Sequence, residues 1–170
     1  SSRGPTRGFY TNAAGTRIYD NAIKPDLVAP GNKIVAARAK ATSYLAVNFP
    51  NLSSGLVNLL DPNDSKMQMS GTSMSTPVAA GAAALLFQIN PNLTPQMAKM
   101  ILQYTAQPLA GYNMYEQGAG HLNIEGAVRL AKAYRTDVNF NLNAASGMNL
   151  LASGAEFPTP TTTNSGVTFN

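Results

Sequence analysis

Cysteine is absent from the 170 residues, which excludes disulfides, zinc–thiolate sites and thiol nucleophiles. Histidine occurs once, as His121, so neither a His-Glu-x-x-His zinc site nor a Cys–His pair can be assembled. No Ser-x-x-Lys occurs, and a Gly-x-Ser-x-Gly pattern fails because Ser75 stands where its second glycine belongs. Charged residues make up 12% of the chain, about half the usual share. The net charge of +4 comes from scattered single residues such as Arg3, Arg7, Lys33, Arg38 and Lys132. There is no basic run and no aromatic interleaving, which argues against nucleic acid as a partner. No apolar stretch approaches the roughly 20 residues that cross a bilayer; the longest, residues 79–89, is short and alanine-rich, so no membrane partner is expected. The chain opens without Met on a turn-like segment, Ser1-Ser2-Arg3-Gly4-Pro5, which reads as a cut end and leaves room for a removed leader.

What is present suits a packed, surface-poor piece of a larger body. Residues 1–22, rich in Gly, Ser, Asn and Thr, read as loop. Leu27-Val28-Ala29 reads as a short strand stopped by Pro30-Gly31, and Ile34-Val35-Ala36-Ala37 as a second. From Thr42 to Lys66 the pattern is an irregular excursion broken by Pro50, Gly55 and Pro62. Met67-Gln68-Met69 reads as a strand that turns through Ser70-Gly71-Thr72 into a helix over residues 73–90. Ala79, Ala80, Gly81, Ala82, Ala83 and Ala84 leave that helix almost no polar face, which predicts a core position. Gly81, costing roughly 1 kcal/mol against Ala, predicts close approach of another element. Thr94 is an N-cap with Pro95 behind it, and Met97, Ile101 and Tyr104 form an apolar stripe. Residues 111–120 read as loop. A last helix covers residues 124–135, capped by Asn123, with Lys132 and Arg135 at its negative end. Beyond Arg135 neither Lys nor Arg recurs and Asn and Thr dominate, so residues 137–170 read as a linker or the start of an appended region.

Chemistry concentrates in Ser70-Gly71-Thr72-Ser73-Met74-Ser75-Thr76-Pro77. A serine opening a helix has a backbone N–H without an intrahelical partner and sits at the positive end of the macrodipole. Both favour an oxyanion beside the hydroxyl, as acyl transfer requires. Gly71 permits a sharp turn and close approach of a substrate backbone. Pro77 cannot donate to the Ser73 carbonyl and distorts the first turn. A helix cap alone accounts for a serine in such a place equally well.

Gly71-Thr72-Ser73-Met74-Ser75-Thr76-Pro77 followed by Gly81 resembles the nucleophile signature of the subtilisin-like serine proteases, the subtilases. Ser1-Ser2-Arg3-Gly4-Pro5, Lys24-Pro25-Asp26-Leu27-Val28-Ala29-Pro30-Gly31 and Gly118-Ala119-Gly120-His121-Leu122-Asn123 are similar to further family segments, in the family's order. The likeness covers residues 1–136, read as the C-terminal part of the catalytic domain. Val78 departs from the His that many subtilases carry after the proline. The serine-carboxyl proteases share a Gly-Thr-Ser signature, but Ala29-Pro30-Gly31 with the Ser1–Pro5 motif favours the subtilisin branch.

The resemblance implies an α/β, subtilisin-like three-layer fold with a mostly parallel sheet, of which only the C-terminal portion is present. It implies a serine endopeptidase that forms an acyl-enzyme on Ser73, with Ser73 N–H and the Thr72 hydroxyl as oxyanion support. Family order places the aspartate and histidine before the serine, hence upstream of Ser1, and the isolated chain is expected to be inactive. His121, downstream, reads as structural or surface. The main specificity pocket and the second oxyanion donor, an Asn side chain, also lie upstream. The partners implied are a protein or peptide substrate and the N-terminal portion of the same domain. No cofactor is required, although subtilases often bind structural calcium. Asp61, Asn63 and Asp64 read as turn formers, since Lys66 stands where a calcium loop of the EF-hand type needs glycine. Met74 is a candidate for inactivating oxidation, and secretion is the default localisation. The competing reading is a non-catalytic subtilase-like scaffold or protein-binding module.

Overall fold

The computed structural model describes residues 3–54, 66–140, 147–157, 162–164 and 167–169. The chain divides into two compact units, residues 30–78 and residues 1–29 with 79–170. Asp61, Asn63 and Asp64 lie outside the described residues.

The unit of residues 30–78 is built on an antiparallel hairpin. β3 (Ile34–Ala37) pairs with β5 (Lys66–Met69), Ile34 opposite Met69 and Ala36 opposite Met67. The excursion between them holds a short helix, α1 (Tyr44–Asn48), and a 3-10 turn at Pro50–Leu52. It returns as β4 (Ser53–Ser54) on the other edge of β5. Both strands expected here are present. Every named strand among the described residues pairs antiparallel, and the parallel pairing expected is represented by one bridge, Val28 with His121.

Helix α2 (Thr72–Ile89) runs from this unit into the other. Only Ala82 and Leu86 of it are buried. They lie four residues apart and so share one face. The core position expected for the whole helix is therefore not found among the described residues. Five of its apolar side chains are the single methyl groups of alanine, which reach little beyond the helix surface. Nothing lies within 4 Å of where a Cβ on Gly81 would stand, so the close approach expected there is absent among them too.

The core of the other unit lies between α3 (Pro95–Tyr104) and α5 (Ile124–Ala133). Helix α3 packs on α5, and Ile101 and Leu102 of the first and Ala127, Leu130 and Ala131 of the second are buried; each large aliphatic side chain so buried contributes about 1.5–3 kcal/mol. Both expected caps are made, Thr94 Oγ1 accepting from Met97 N–H at 3.1 Å and Asn123 Oδ1 from Gly126 N–H at 3.0 Å. Tyr104 leaves the expected stripe. It is exposed and its ring meets Phe157 at 6.0 Å. Helix α5 stops at Ala133 rather than Arg135, because Arg135 N–H pairs with the Leu150 carbonyl at 2.9 Å. Asn90, fully buried, donates to the Arg135 carbonyl at 3.0 Å and accepts from Asn92 N–H at 3.1 Å, fixing the turn after α2.

Two segments expected as loop contain regular structure. β1 (Phe9–Thr11) and β2 (Arg17–Tyr19) form an exposed hairpin. Asn12 Oδ1 accepts from Ala14 and Thr16 N–H in its turn, and the Arg17 guanidinium lies 4.6 Å from the Phe9 ring centre. Within residues 111–120 a single turn, α4 (Met114–Gln117), is held by a capping box between Asn113 and Glu116. Beyond the region of chemistry, β6 (Thr162–Asn164) pairs with β7 (Val167–Phe169).

Three of the four sequence motifs converge in this unit. Arg3 pairs with Glu116 at 2.8 Å, and Gly4 N–H donates to the Tyr115 carbonyl. The Asp26 carbonyl accepts from Ala119 N–H, and Val28 pairs with Gly120 and Leu122. Gly118 (φ +62°) and Gly120 (φ +129°) are required there: a Cβ would stand 2.3 Å from the Pro25 carbonyl oxygen at the first and 2.3 Å from that of Gln107 at the second. Asp26 also carries ion pairs to Lys24 and, at 2.9 Å, to Lys99 of α3.

Burial opposes ionisation of Asp26, but its hydrogen bonds and ion pairs with Lys24 and Lys99 outweigh it and hold the carboxyl below its ordinary value. A depressed folded pKa gives stability that is present above the ordinary carboxylate value, about 3.9, and lost as pH falls through the folded one. Asp26→Asn is expected to cost about 1 kcal/mol or less at neutral pH, because the pairs are partly solvated. It should also flatten the loss of stability below about pH 4. Urea unfolding at several pH values measures both; parallel acid limbs for the two proteins would refute the assignment.

Candidate active site

Ser73 is the second residue of α2 and is exposed. The turn before it is held by hydrogen bonds within the turn and to residues 31–33. Gly71 stands at φ +154°, where L side chains are rarely found. Its carbonyl accepts from the N–H groups of Met74 at 3.0 Å and Ser75 at 3.3 Å, closing the first turn. Its N–H donates to the Gly31 carbonyl at 2.8 Å. The Thr72 and Ser73 N–H groups have no carbonyl partner among the described residues. They point along the start of an 18-residue helix, which is an arrangement that stabilises negative charge.

Further down the helix, Thr76 Oγ1 donates to the Thr72 carbonyl at 2.9 Å. Pro77 lies inside α2 and takes away the donor that would bond the Ser73 carbonyl.

The segment 30–33 is moulded to this turn. Ser70 Oγ accepts from Lys33 N–H at 2.8 Å and donates to Asn32 Oδ1 at 3.0 Å, while Lys33 takes φ +55°. A Cβ on Gly31 would fall 2.0 Å from Ser75 Oγ and 2.8 Å from the Gly71 carbonyl oxygen. The expected sites Ser73 and Thr72 are thus joined by Gly31, Asn32 and Ser70, which sequence reading did not single out. For Gly31 the signal was its place in a second motif; for Ser70 and Asn32, 38 residues apart, spacing carried none. A cavity of about 460 Å3 lies beside the same turn, with Met74 in its wall.

The unit that carries Ser73 contains no histidine, and its described residues contain no Asp or Glu. A serine hydroxyl is a weak nucleophile without an adjacent base. His121 belongs to the other unit, where its backbone pairs with Gln107 in both directions and bridges to Val28. Among the described residues no three His, Cys, Asp or Glu side chains converge as metal ligands. Among them no helix is long and apolar enough to cross a membrane.

A family model described as the subtilase family matches residues 1–128. Serine protease AprX of Bacillus subtilis is 35% identical over 128 residues, covering 75% of this chain and 24% of that protein. The subtilisin-like protease SBT1.9 of Arabidopsis thaliana is 32% identical over 132 residues, covering 78% of this chain and 16% of its own length. SBT4.3 of the same plant is 30% identical, covering 96% and 20%. The chain therefore spans a quarter or less of these curated relatives. A solved structure, the patellamide maturation protease PatA, is 29% identical over 61% of this chain and 32% of its own, with a TM-score of 0.39.

Proposed function

This chain belongs to the subtilase family of serine proteases, and on that premise we propose that it supplies the nucleophile of a serine endopeptidase, Ser73, to a site completed by polypeptide outside these residues. The observation that carries the reading is the pose of Ser73: an exposed residue on the first turn of α2, next to amide groups that have no carbonyl partner among the described residues.

In this mechanism Ser73 Oγ attacks the carbonyl carbon of the peptide bond while a histidine base takes its proton. The carbonyl oxygen becomes an oxyanion, and Ser73 N–H, the Thr72 hydroxyl and the positive end of α2 stabilise it. Collapse breaks the C–N bond, the histidine returns its proton to the leaving amine, and an acyl-enzyme remains on Ser73. Water, deprotonated by the same base, then releases the acid. The histidine, its aspartate and an asparagine donor to the oxyanion follow from family resemblance and belong to the upstream portion of the domain. The same resemblance gives a mostly parallel sheet flanked by helices, of which this chain supplies the later strands and helices.

We assign residues 1–136 to the catalytic domain and no chemistry to residues 137–170. The reaction calls on no cofactor, calcium serving structure where the family binds it. Substrates are proteins or peptides. Secretion belongs to the same proposal and rests on resemblance alone.

Labelling with a fluorophosphonate, which reacts with activated serines, tests the reading. The full-length protein should be labelled and the 170-residue chain alone should not. Labelling of the chain alone would place a base within it; failure to label the full-length protein would leave the non-catalytic scaffold as the better reading.

A further inference from the structure

Residues 147–157 take no part in the chemistry above, yet they are not a free tail. Leu151 bridges antiparallel to Tyr134, which directly follows α5. The Leu150 carbonyl accepts from Arg135 N–H at 2.9 Å, and Ala152 N–H donates to the Ala133 carbonyl at 2.9 Å. Asn149 Oδ1 accepts from Leu151 N–H at 3.1 Å, which shapes the entry to this pairing. Past a turn closed by Ala155 N–H on the Ala152 carbonyl, Phe157 meets the ring of Tyr104, the last residue of α3, at 6.0 Å. The segment thus spans from the end of α5 to the end of α3.

The pairing decides where α5 ends. The sequence of α5 suits a helix as far as Arg135, and an intrahelical bond from Arg135 N–H would go to the Ala131 carbonyl. The Leu150 carbonyl takes that N–H instead, and Tyr134 stands extended at φ −71° and ψ 151°. The next two carbonyls then serve the turn after α2. Arg135 accepts there from Asn90 Nδ2 at 3.0 Å, and Thr136 from Asn92 Nδ2 at 2.7 Å. Asn90 is fully buried, and a buried donor left without its acceptor loses its hydration with nothing in return. Arg135 is therefore held by both backbone groups, its N–H by residues 147–157 and its carbonyl by the turn that closes α2.

We propose that residues 147–157 are a strap with two positions. Docked, it ends α5 at Ala133 and presents the Arg135 carbonyl to Asn90. Released, it lets α5 run on to Arg135, withdraws that carbonyl and loosens the turn at the far end of the helix whose first turn holds Ser73. A segment outside the region of chemistry thereby acts on the end of α2. The inference stands whether or not Ser73 is a nucleophile.

Hydrogen exchange of the full-length protein tests this, read at the amides of Asn90, Asn92 and Leu93, each hydrogen-bonded in the turn. Ala152→Pro removes the donor to the Ala133 carbonyl. It should speed exchange at these three amides by about tenfold, the scale of one lost hydrogen bond. Phe157→Ala loosens the strap at its other end and should speed the same amides by about two- to tenfold, the worth of one aromatic pair. Amides within residues 127–130 of α5 should keep their wild-type rates in both variants. Wild-type rates at Asn90, Asn92 and Leu93 in Ala152→Pro overturn the proposal. So does a rise shared equally by residues 127–130, which would mark general loss of stability rather than release of a strap. If Ala152→Pro fails to fold, the same two readings are taken on Phe157→Ala and decide the matter.

Discussion

Ser73→Ala in the full-length protein is expected to lower kcat for peptide hydrolysis by about six orders of magnitude, the scale seen when subtilisin loses its nucleophile. KM should change little. The hydroxyl is small, it is exposed at the start of α2, and its bond to substrate forms only on the way to the acyl-enzyme. An interaction made only in the transition state lowers kcat and kcat/KM together. Folding should be almost untouched, because Met74 and Ser75 N–H are capped by the Gly71 carbonyl and not by the serine hydroxyl. Initial rates on a chromogenic peptide, with the unfolding temperature of each protein measured alongside, check both parts. A variant within tenfold of wild type would show that another group performs the attack.

Gly31→Ala is expected to have the second largest effect, through crowding rather than lost chemistry. The new methyl would stand 2.0 Å from Ser75 Oγ, 3.2 Å from Ser75 Cβ and 2.8 Å from the Gly71 carbonyl oxygen. Rotation of Ser75 relieves only the first contact. The other two involve the backbone that holds α2 by its first turn, since the Gly71 carbonyl accepts from Met74 and Ser75. Either segment 30–33 withdraws and breaks the bond from Gly71 N–H to the Gly31 carbonyl, or the nucleophile turn moves. Overpacking of this kind costs about 1–3 kcal/mol, and a shift of about 1 Å in a reacting group lowers the rate by about 100-fold. Gly31→Ala should therefore lower both the unfolding temperature and kcat. Wild-type values for both would mean that the close packing between these two motifs is not needed.

The motifs were legible in the sequence because each does a local backbone job that few residues can do. Gly71 turns the chain into a helix, Gly118 and Gly120 admit carbonyl groups where a Cβ would collide, and Thr94 and Asn123 cap helices with their own oxygens. Contacts across long separations were not legible. The clamp of Ser70 on Asn32 and Lys33 joins residues 37 and 38 apart, and no pattern within either segment announces it. The hairpin of β1 and β2 was hidden by the Gly, Ser and Asn around it, although Phe9, Tyr10, Ile18 and Tyr19 have the side chains that suit strands. The run of alanines in α2 predicted burial correctly only for the face of Ala82 and Leu86. Burial is settled by what packs against a helix, and its own sequence does not contain that information.

The most direct measurement is the mass of the peptide that contains Ser73 after the full-length protein has reacted with a fluorophosphonate. The mechanism predicts one adduct, carried by the Ser73 hydroxyl and formed more slowly as the histidine base becomes protonated in acid. An adduct on any other residue, with Ser73 unmodified, would contradict it.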